Sequence, residues 1–254
     1  MPFPPDSPVV GQVRPSPNRE PRRGVARPDI LLLHYTGMAT TDVALERLCD
    51  PGPRVSSHYL VFEDGRVFQL VPEAQRAYHA GASYWEGSTD INSRSIGIEI
   101  GNQGHDYGCP AYPEPQIAAV EALCRDIVAR NAIAPWHVLA HSDVAPDRKR
   151  DPGEVFPWAR LAAAGVGLWI TPEPIVTGGA LCPGDQGERV VHLQRLLAAF
   201  GYGVAPSGHY DSTTHEVVAA FQRHYRPARV DGIADFATVR TLEKAVVAKE
   251  GARA

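Results

Sequence analysis

The sequence predicts an α/β fold with a mixed central β-sheet flanked by helices, followed by a small all-α domain of three helices. Short apolar runs typical of buried strands recur between residues 30 and 140, and a helical pattern of apolar residues lies among them. A stretch rich in proline and glycine follows between Gly165 and Gly187, and beyond it the apolar residues recur at helical spacing. We therefore expect four parts, which are an extended arm packing on the main domain (1–28), the α/β domain (29–170), a linker (171–186) and the three-helix domain (187–250).

The composition indicates an ordinary soluble globular protein. Hydrophobic residues make up 44% and charged residues 21% of the chain, which favours neither a disordered nor a fibrous protein. The net charge is -4, and only the stretch Arg14–Arg27 is locally basic, so we expect no nucleic-acid partner. The longest apolar stretch, Leu161–Ile170, is about half as long as a membrane-spanning helix needs, so we expect no membrane span.

The strands and the long helix of the α/β domain follow from local patterns. Ile30–Leu33 is a continuous apolar run, Val55–Val71 holds two strand-like runs around an Asp-Gly turn, and Ile96–Gly101 alternates between two faces. A further short strand is predicted over Trp136–Ala140. Apolar residues at helical spacing predict a helix over Pro115–Asn131, with Asn131 in the left-handed position at its end.

The C-terminal domain carries a small internal repeat. Gly208-x-x-Asp211-x-x-Thr214 recurs as Gly232-x-x-Asp235-x-x-Thr238, and each aspartate is placed to cap a following helix. An earlier helical stripe ends at Gly201, a natural helix terminator. The three stripes together predict a compact three-helix domain.

Three side chains have the chemistry of zinc ligands and lie at the edges of predicted elements and not inside them. His34 follows one strand, His141 follows another, and Asp151 comes ten residues later in a charged loop. Strand ends converge at one edge of a sheet, and two imidazoles with one carboxylate leave a zinc ion one open position for a water that becomes more acidic there. A single histidine is more often a core or surface residue, and spacing alone leaves both readings open.

Two more residues are candidates for the chemistry itself. The strand alternation puts Glu99 on the same face as Gly97 and Gly101, whose missing side chains would leave room for a substrate, so Glu99 can serve as general base. A solvated strand glutamate is an equally good interpretation of this alternation. Lys149 can stabilise an oxyanion, although in a run of charged residues it also fits an ordinary solvated surface.

Four segments resemble the N-acetylmuramoyl-L-alanine amidases of the type 2 family. They occur in the order of that family, and the resemblance extends over most of residues 12–165. The segments are Leu31–Thr36, Tyr78–Gly81, Ser95–Ile100 and Ala140–Gly153. The resemblance implies the type 2 amidase fold and one zinc ion per chain, bound by His34, His141 and Asp151. It further implies that Glu99 is the catalytic acid/base and that Lys149 stabilises the transition state.

The same resemblance implies the substrate and its contacts. The expected reaction is hydrolysis of the amide between N-acetylmuramic acid, or its anhydro form, and L-alanine in peptidoglycan or soluble muropeptides. The expected substrate-binding residues are Tyr35, His79, Ala80 and Asn92. Two alternatives stay open, a non-catalytic muropeptide binder and a different zinc amidohydrolase or peptidase. The complete set of five metal and catalytic residues argues against the binder.

The last domain resembles a three-helix peptidoglycan-binding module, through Val191–Leu197, Ala219–Gln222 and Asp231–Gly232. These residues are mostly core and cap positions, so the module either binds wall polymer or serves only to pack on the catalytic domain. The proline-rich N-terminus lacks a basic stretch before an apolar run, which favours a cytoplasmic location. A periplasmic or wall-associated location is expected if a signal was removed or another export route is used. We expect a monomer.

Overall fold

The computed structural model describes residues 3–175 and 178–252, which form two compact units. The first unit comprises residues 3–83, 90–141 and 151–168, and the second comprises 84–89, 142–150 and the described residues from Trp169 onward. Met1 and Pro2 of the predicted arm and Val176 and Thr177 of the predicted linker lie outside the described residues. Among the described residues, no helix is both long and apolar enough to cross a bilayer.

The first unit is built on a six-stranded mixed sheet with a separate two-stranded sheet. The strands are β1 (Gln12–Val13), β2 (Arg19–Pro21), β3 (Ile30–Tyr35), β4 (Tyr59–Val61), β5 (Val67–Gln69), β6 (Gln75–Ala77), β7 (Ser95–Ile100) and β8 (Val138–Ala140). The order in the large sheet is β1-β5-β4-β7-β3-β8, in which β4 and β5 are antiparallel and the other pairs are parallel. This confirms the predicted mixed sheet, including the hairpin around Gly65.

Burial explains why the sequence of a central strand is a continuous run of apolar residues. The side chains of β3 from Ile30 to Leu33 are completely buried, because this strand lies between β7 and β8 with both faces covered. The strand is two residues longer than predicted. His34 and Tyr35 continue the pairing with Glu99 and Ile100 of β7, so a polar side chain does not end the strand.

Helices of the first unit are α1 (Thr41–Cys49), α2 (Ile91–Arg94), α3 (Glu114–Asn131) and α5 (Trp158–Ala163), while α4 (His141–Val144) begins in the first unit and continues into the second. The prediction that Asn131 takes the left-handed position at the end of α3 is wrong. Ala132 does so, with φ of 52°, while the Asn131 side chain bonds the carboxylate of Glu73 and the carbonyl of Ile127. Those two bonds keep Asn131 in the last helical turn.

The N-terminal stretch is extended and contributes strands to both sheets. Within it β1 runs parallel to β5, and β2 runs antiparallel to β6. Arg22, which follows β2, donates to the backbone carbonyls of Glu73, Ser93 and Ser95 at 2.7–2.9 Å. The domain boundaries proposed from the sequence remain predictions.

The second unit contains the C-terminal helices, namely α6 (Glu188–Phe200), α7 (Ser212–Tyr225) and α8 (Phe236–Gly251). The predicted caps are present. Asp211 accepts from the backbone N–H of Thr214, and Asp235 accepts from that of Thr238, both at 2.8 Å. Two glutamines extend the repeat beyond what the sequence pattern indicated. Gln194 bonds Thr214 Oγ1 at 2.9 Å, and Gln222 bonds Thr238 Oγ1 at 3.1 Å, so each loop is fixed to a preceding helix in the same way.

Candidate metal centre

The sheet brings two histidines together at its edge. The pairing of Leu33 with Ala140 aligns the carboxyl ends of the parallel strands β3 and β8, and His34 and His141 are the next residues along each strand. Their Nδ1 atoms lie 2.9 Å apart. In α/β proteins, functional sites commonly lie at the carboxyl ends of parallel strands, and the His34–His141 pair lies at such a position.

Asp151 completes the group. Its Oδ2 lies 3.0 Å from Nδ1 of His34 and 2.9 Å from Nδ1 of His141. The three residues are almost fully buried, at 1%, 3% and 5% exposure. Burial by itself would raise the pKa of Asp151, but the adjacent imidazoles outweigh that effect and lower this pKa far below its ordinary value. The carboxylate is therefore ionised and available as a ligand.

This donor set fits a zinc ion. Two imidazole nitrogens and a carboxylate oxygen, about 3 Å apart, can occupy one face of a tetrahedron around a metal with bonds of about 2.0–2.2 Å. Among the residues that the structure describes, no other group of three or more histidine, cysteine or acidic side chains has this arrangement. The three predicted ligands are thus brought together, as the sequence indicated.

Hydrogen bonds to the far side of each ring set its tautomer. His141 Nε2–H donates to the carbonyl oxygen of Ala80 at 3.1 Å, and His34 Nε2–H donates to Nδ1 of His79 at 3.0 Å. His79 in turn donates through Nε2 to Ser95 Oγ at 3.3 Å, because the serine hydroxyl proton is given to the carbonyl of Ile91. Because Nε2–H of each ligand ring is committed to these acceptors, the Nδ1 atoms, which face Asp151, are the ones that would present a lone pair to a bound metal.

Three of the predicted substrate-binding residues support these ligands. The Asn92 amide oxygen accepts from the backbone N–H groups of His79 and Ala80, at 3.0 and 2.8 Å. Burial and the neighbouring imidazoles lower the pKa of His79 well below its ordinary value, so the ring stays neutral. Substrate contact by His79, Ala80 and Asn92 remains a prediction, while their contacts to the ligand histidines are explicit.

Glu99 lies beside the metal ligands. It pairs with His34 across the parallel strands β7 and β3, so both side chains point to the same face of the sheet. The expectation that Gly97 and Gly101 leave room for a substrate is wrong. A Cβ on Gly97 would lie 2.5 Å from Nδ1 of His79, and one on Gly101 would lie 2.1 Å from Oγ1 of Thr41, so protein side chains fill both spaces.

Tyr35 belongs to a hydrogen-bonded series that the sequence did not reveal. Its hydroxyl lies 3.0 Å from Nδ1 of His105, and Nε2 of His105 lies 3.0 Å from the Glu154 carboxylate. No local sequence pattern links His105 to Tyr35 or Glu154.

His58 is fully buried, and burial together with the nearby Arg22 lowers its pKa to about 3. His58 is a structural residue.

Lys149 lies in the segment 142–150, which belongs to the second unit, two residues before the ligand Asp151. Its side chain is half-buried, and its backbone N–H donates to the carbonyl of Ala145 at 3.0 Å. The segment is therefore structured, with Lys149 in a defined turn.

Two histidines and an aspartate at the edge of a mixed sheet are the donor set of a metal-dependent hydrolase, and comparison with known proteins identifies the family. Residues 24–154 match the N-acetylmuramoyl-L-alanine amidases, and residues 186–242 match a peptidoglycan binding domain. The chain is 40% identical over 253 residues to the N-acetylmuramoyl-L-alanine amidase AmiD of Escherichia coli, covering 92% of this chain and 87% of AmiD. This chain belongs to the N-acetylmuramoyl-L-alanine amidase family.

Solved structures agree with this assignment. The complex of E. coli AmiD with the substrate anhydro-N-acetylmuramic acid-L-Ala-D-γ-Glu-L-Lys superposes with a TM-score of 0.74 at 38% identity, covering 92% of this chain and 93% of AmiD. AmpDh3 from Pseudomonas aeruginosa gives a TM-score of 0.71 at 31% identity, covering 88% and 92%. The predicted family, fold class and enzymatic activity are confirmed.

Proposed function

We propose that this amidase holds one zinc ion through His34, His141 and Asp151 and cleaves the lactyl amide of soluble anhydro-muropeptides. The observation that carries the proposal is the mutual approach of three buried donor atoms to within 2.9–3.0 Å, with both imidazoles fixed as Nε2–H tautomers. When bound there, a zinc ion supplies Lewis-acid chemistry, polarising the amide carbonyl and making a water more acidic.

The protein groups around this centre have separate tasks. Glu99 shares a sheet face with His34, and we assign it the proton transfer: it takes a proton from the attacking water and returns it to the leaving amine of L-alanine. Lys149 is assigned to the negative charge that develops on the amide oxygen. Bond breaking then yields a free lactyl carboxylate on the sugar and a peptide with a free N-terminal amine.

A cleft in the first unit carries a net positive charge. It is lined by Asn92 and Tyr78 together with charged side chains, which are Glu20, Arg23, Arg54 and Arg76. Glu20 pairs with both Arg23 and Arg76, so a carboxylate that enters the cleft would meet Arg54 or compete with Glu20 for the other two arginines. A γ-linked glutamate leaves its α-carboxylate free, and arginine binds carboxylates bidentately. We therefore propose that the cleft receives carboxylates of the stem peptide, while Tyr35 and His79 line the approach to the scissile amide.

Activity on two substrates tests this function. The full chain, loaded with one equivalent of zinc, is incubated with a soluble anhydro-muropeptide and, separately, with intact sacculi. We expect release of a peptide beginning with L-alanine from the soluble substrate. Loss of activity on chelation and its return with zinc are expected as well. If the chelated protein contains no metal and still cleaves the substrate at the original rate, the proposed metal centre is contradicted.

The match of residues 186–242 to a peptidoglycan binding domain supports a second proposal, that the C-terminal helices bind wall polymer. At low enzyme concentration, the rate on sacculi should then be higher than the rate on the soluble substrate leads one to expect. The reason is that binding to the polymer raises the local concentration of the enzyme there. Co-sedimentation of the metal-free full chain with sacculi measures this binding without turnover.

A further inference from the structure

The residues between two metal ligands belong to the unit of the C-terminal helices. Ser142 directly follows His141, and Arg150 directly precedes Asp151, yet the whole segment 142–150 clusters with the second unit. Lys149 lies on this segment. Contacts that fix residues 142–150 therefore act on a segment whose two ends are covalently bonded to the candidate ligands His141 and Asp151.

A buried carboxylate anchors the segment to the C-terminal helices. The Asp143 side chain is completely buried, and its Oδ1 accepts from the Tyr202 hydroxyl at 2.7 Å while its Oδ2 accepts from His224 Nδ1–H at 2.7 Å. Tyr202 comes just after α6, and His224 is in the last turn of α7. Burial and the nearby Asp143 raise the pKa of Tyr202 well above its ordinary value, so its hydroxyl keeps the proton that it donates.

Residues 84–89, a second segment that comes from between parts of the first unit in the sequence, also belong to the second unit. Trp85 is fully buried against Tyr202, with ring centroids 5.0 Å apart, and a Cβ on Gly201 would lie 2.6 Å from the Trp85 ring. Glu86 N–H donates to the Gly201 carbonyl at 2.9 Å, and the Glu86 carboxylate pairs with the buried Lys249 at 2.5 Å. Residues 84–89 begin five residues after His79, so a second segment connected to the metal centre is also fixed by the helices.

We propose that Asp143 is a positioning residue, through which Tyr202 and His224 of the C-terminal helices set the placement of the Lys149 segment during amide hydrolysis. This inference rests on the amidase function proposed above. Under it, the C-terminal domain is needed for turnover of small soluble substrates as well as for any binding to polymer. The physical reason is that a buried carboxylate that loses a donor is left with a poorly compensated charge, which favours a shift of its segment toward other donors or water. Misplacement of a catalytic group by about 1 Å can lower the rate about a hundredfold.

A matched pair of tyrosine variants tests the proposal in the full chain. Tyr202→Phe removes the donor to Asp143. Tyr210→Phe removes another buried hydroxyl of the same unit, which donates to the Gly232 carbonyl at 2.7 Å. We expect kcat on soluble anhydro-muropeptide to fall at least about tenfold in Tyr202→Phe with KM within about twofold, and to stay near the wild-type value in Tyr210→Phe. Unchanged kcat in Tyr202→Phe, or equal losses in both variants, would overturn the proposal.

A second pair at His224 separates positioning from folding. An asparagine can present an N–H near the position of Nδ1, whereas leucine cannot, so His224→Asn should retain most of the kcat that His224→Leu loses. Zinc content and melting temperature are measured alongside, and we expect kcat to follow the presence of the donor and not the melting temperature. Equal kcat in the two variants would contradict the proposal. If the wild-type enzyme itself releases no peptide, the proposed function fails; a normal wild-type rate with unaffected variants rejects the positioning role alone.

Discussion

Glu99 of β7 stands directly opposite His34 of β3 in the parallel pairing of the two strands. Because paired residues share a sheet face, the Glu99 carboxylate lies on the same face as the candidate metal ligand His34, where we propose that it transfers a proton. The Glu99→Gln variant keeps the shape and loses the ability to carry a proton. We expect it to retain zinc at the wild-type level while kcat falls about a hundred- to ten-thousandfold.

Metal analysis and turnover of Glu99→Gln on the same preparation check this assignment. Glu63→Gln is a suitable comparison, since Glu63 is an exposed acid that bonds Thr41 beyond the end of the neighbouring strand β4. It should leave kcat nearly unchanged. Near-normal turnover in Glu99→Gln would rule out the proposed proton transfer.

Lys149→Met should lower kcat about a hundredfold or more, because removal of an oxyanion-stabilising group typically costs that much. Zinc content and the melting temperature should stay close to wild type. Arg148→Met removes an equal charge from the adjacent, exposed position and serves as the control. If the two variants lose activity equally, general charge in the segment matters and the specific role of Lys149 does not hold.

Asn92 supports the metal ligands through the backbone. Asn92→Leu keeps the branched shape of the side chain but leaves the N–H groups of His79 and Ala80 without their acceptor. Loss of such support typically weakens metal binding about 10–100-fold, so we expect a higher zinc dissociation constant and recovery of much of the activity in excess zinc.

Asn18→Leu provides the matched control for that experiment. Asn18 is also a buried asparagine of the first unit, and it donates to the carbonyls of Asp50 and Val55 at 2.7 and 2.9 Å. It should lower stability without changing zinc affinity. An Asn92 variant with wild-type zinc affinity would show that the amide does not support the ligands.

Acid sensitivity of the fold should depend on Glu73. Its buried carboxylate accepts from both terminal nitrogens of Arg130 and from the Tyr59 hydroxyl at 2.6–2.8 Å. Burial alone would raise its pKa, but these donors outweigh burial and lower it. The stabilisation is therefore fully present above the unfolded pKa of about 4.3 and is lost as the pH falls through the lower folded pKa.

Glu73→Gln should cost about 2 kcal/mol of unfolding free energy at neutral pH, as expected for lost charged hydrogen bonds. The difference from wild type should shrink as the pH falls below about 4, because the wild-type carboxylate then becomes protonated. Chemical denaturation at several pH values measures it. Glu46→Gln disrupts only an exposed pair with Arg14, with the Glu46 side chain 70% exposed, and should change little. A constant difference for Glu73→Gln across the range would contradict the linkage.

The sequence predicted the ligands because local patterns locate strand ends, and parallel strands bring those ends together. His34 and His141 could be placed this way, and the caps at Asp211 and Asp235 follow from short-range spacing alone. Asp151 could be named as a candidate by its chemistry, but its loop has no periodicity to place it, and the family resemblance gave the firmer reason to group it with the two histidines.

What the sequence did not predict depends on long-range contacts. The spaces beside Gly97 and Gly101 belong to His79 and Thr41, which lie 18 and 60 positions away in the chain. Likewise, no local pattern marks Asp143, whose partners Tyr202 and His224 come from a distant part of the sequence. Periodicity reports which face of an element is buried, but not which distant side chain covers it.

Product analysis in H₂¹⁸O, with the zinc-loaded full chain and a soluble anhydro-muropeptide, most directly tests whether this protein adds water to the carbonyl of the lactyl amide. We expect mass spectrometry to find one ¹⁸O in the lactyl carboxylate of the released sugar and an unlabelled peptide with L-alanine at its N-terminus. Label in a peptide carboxylate, from cleavage between amino acids, would contradict the assignment, as would an intact substrate.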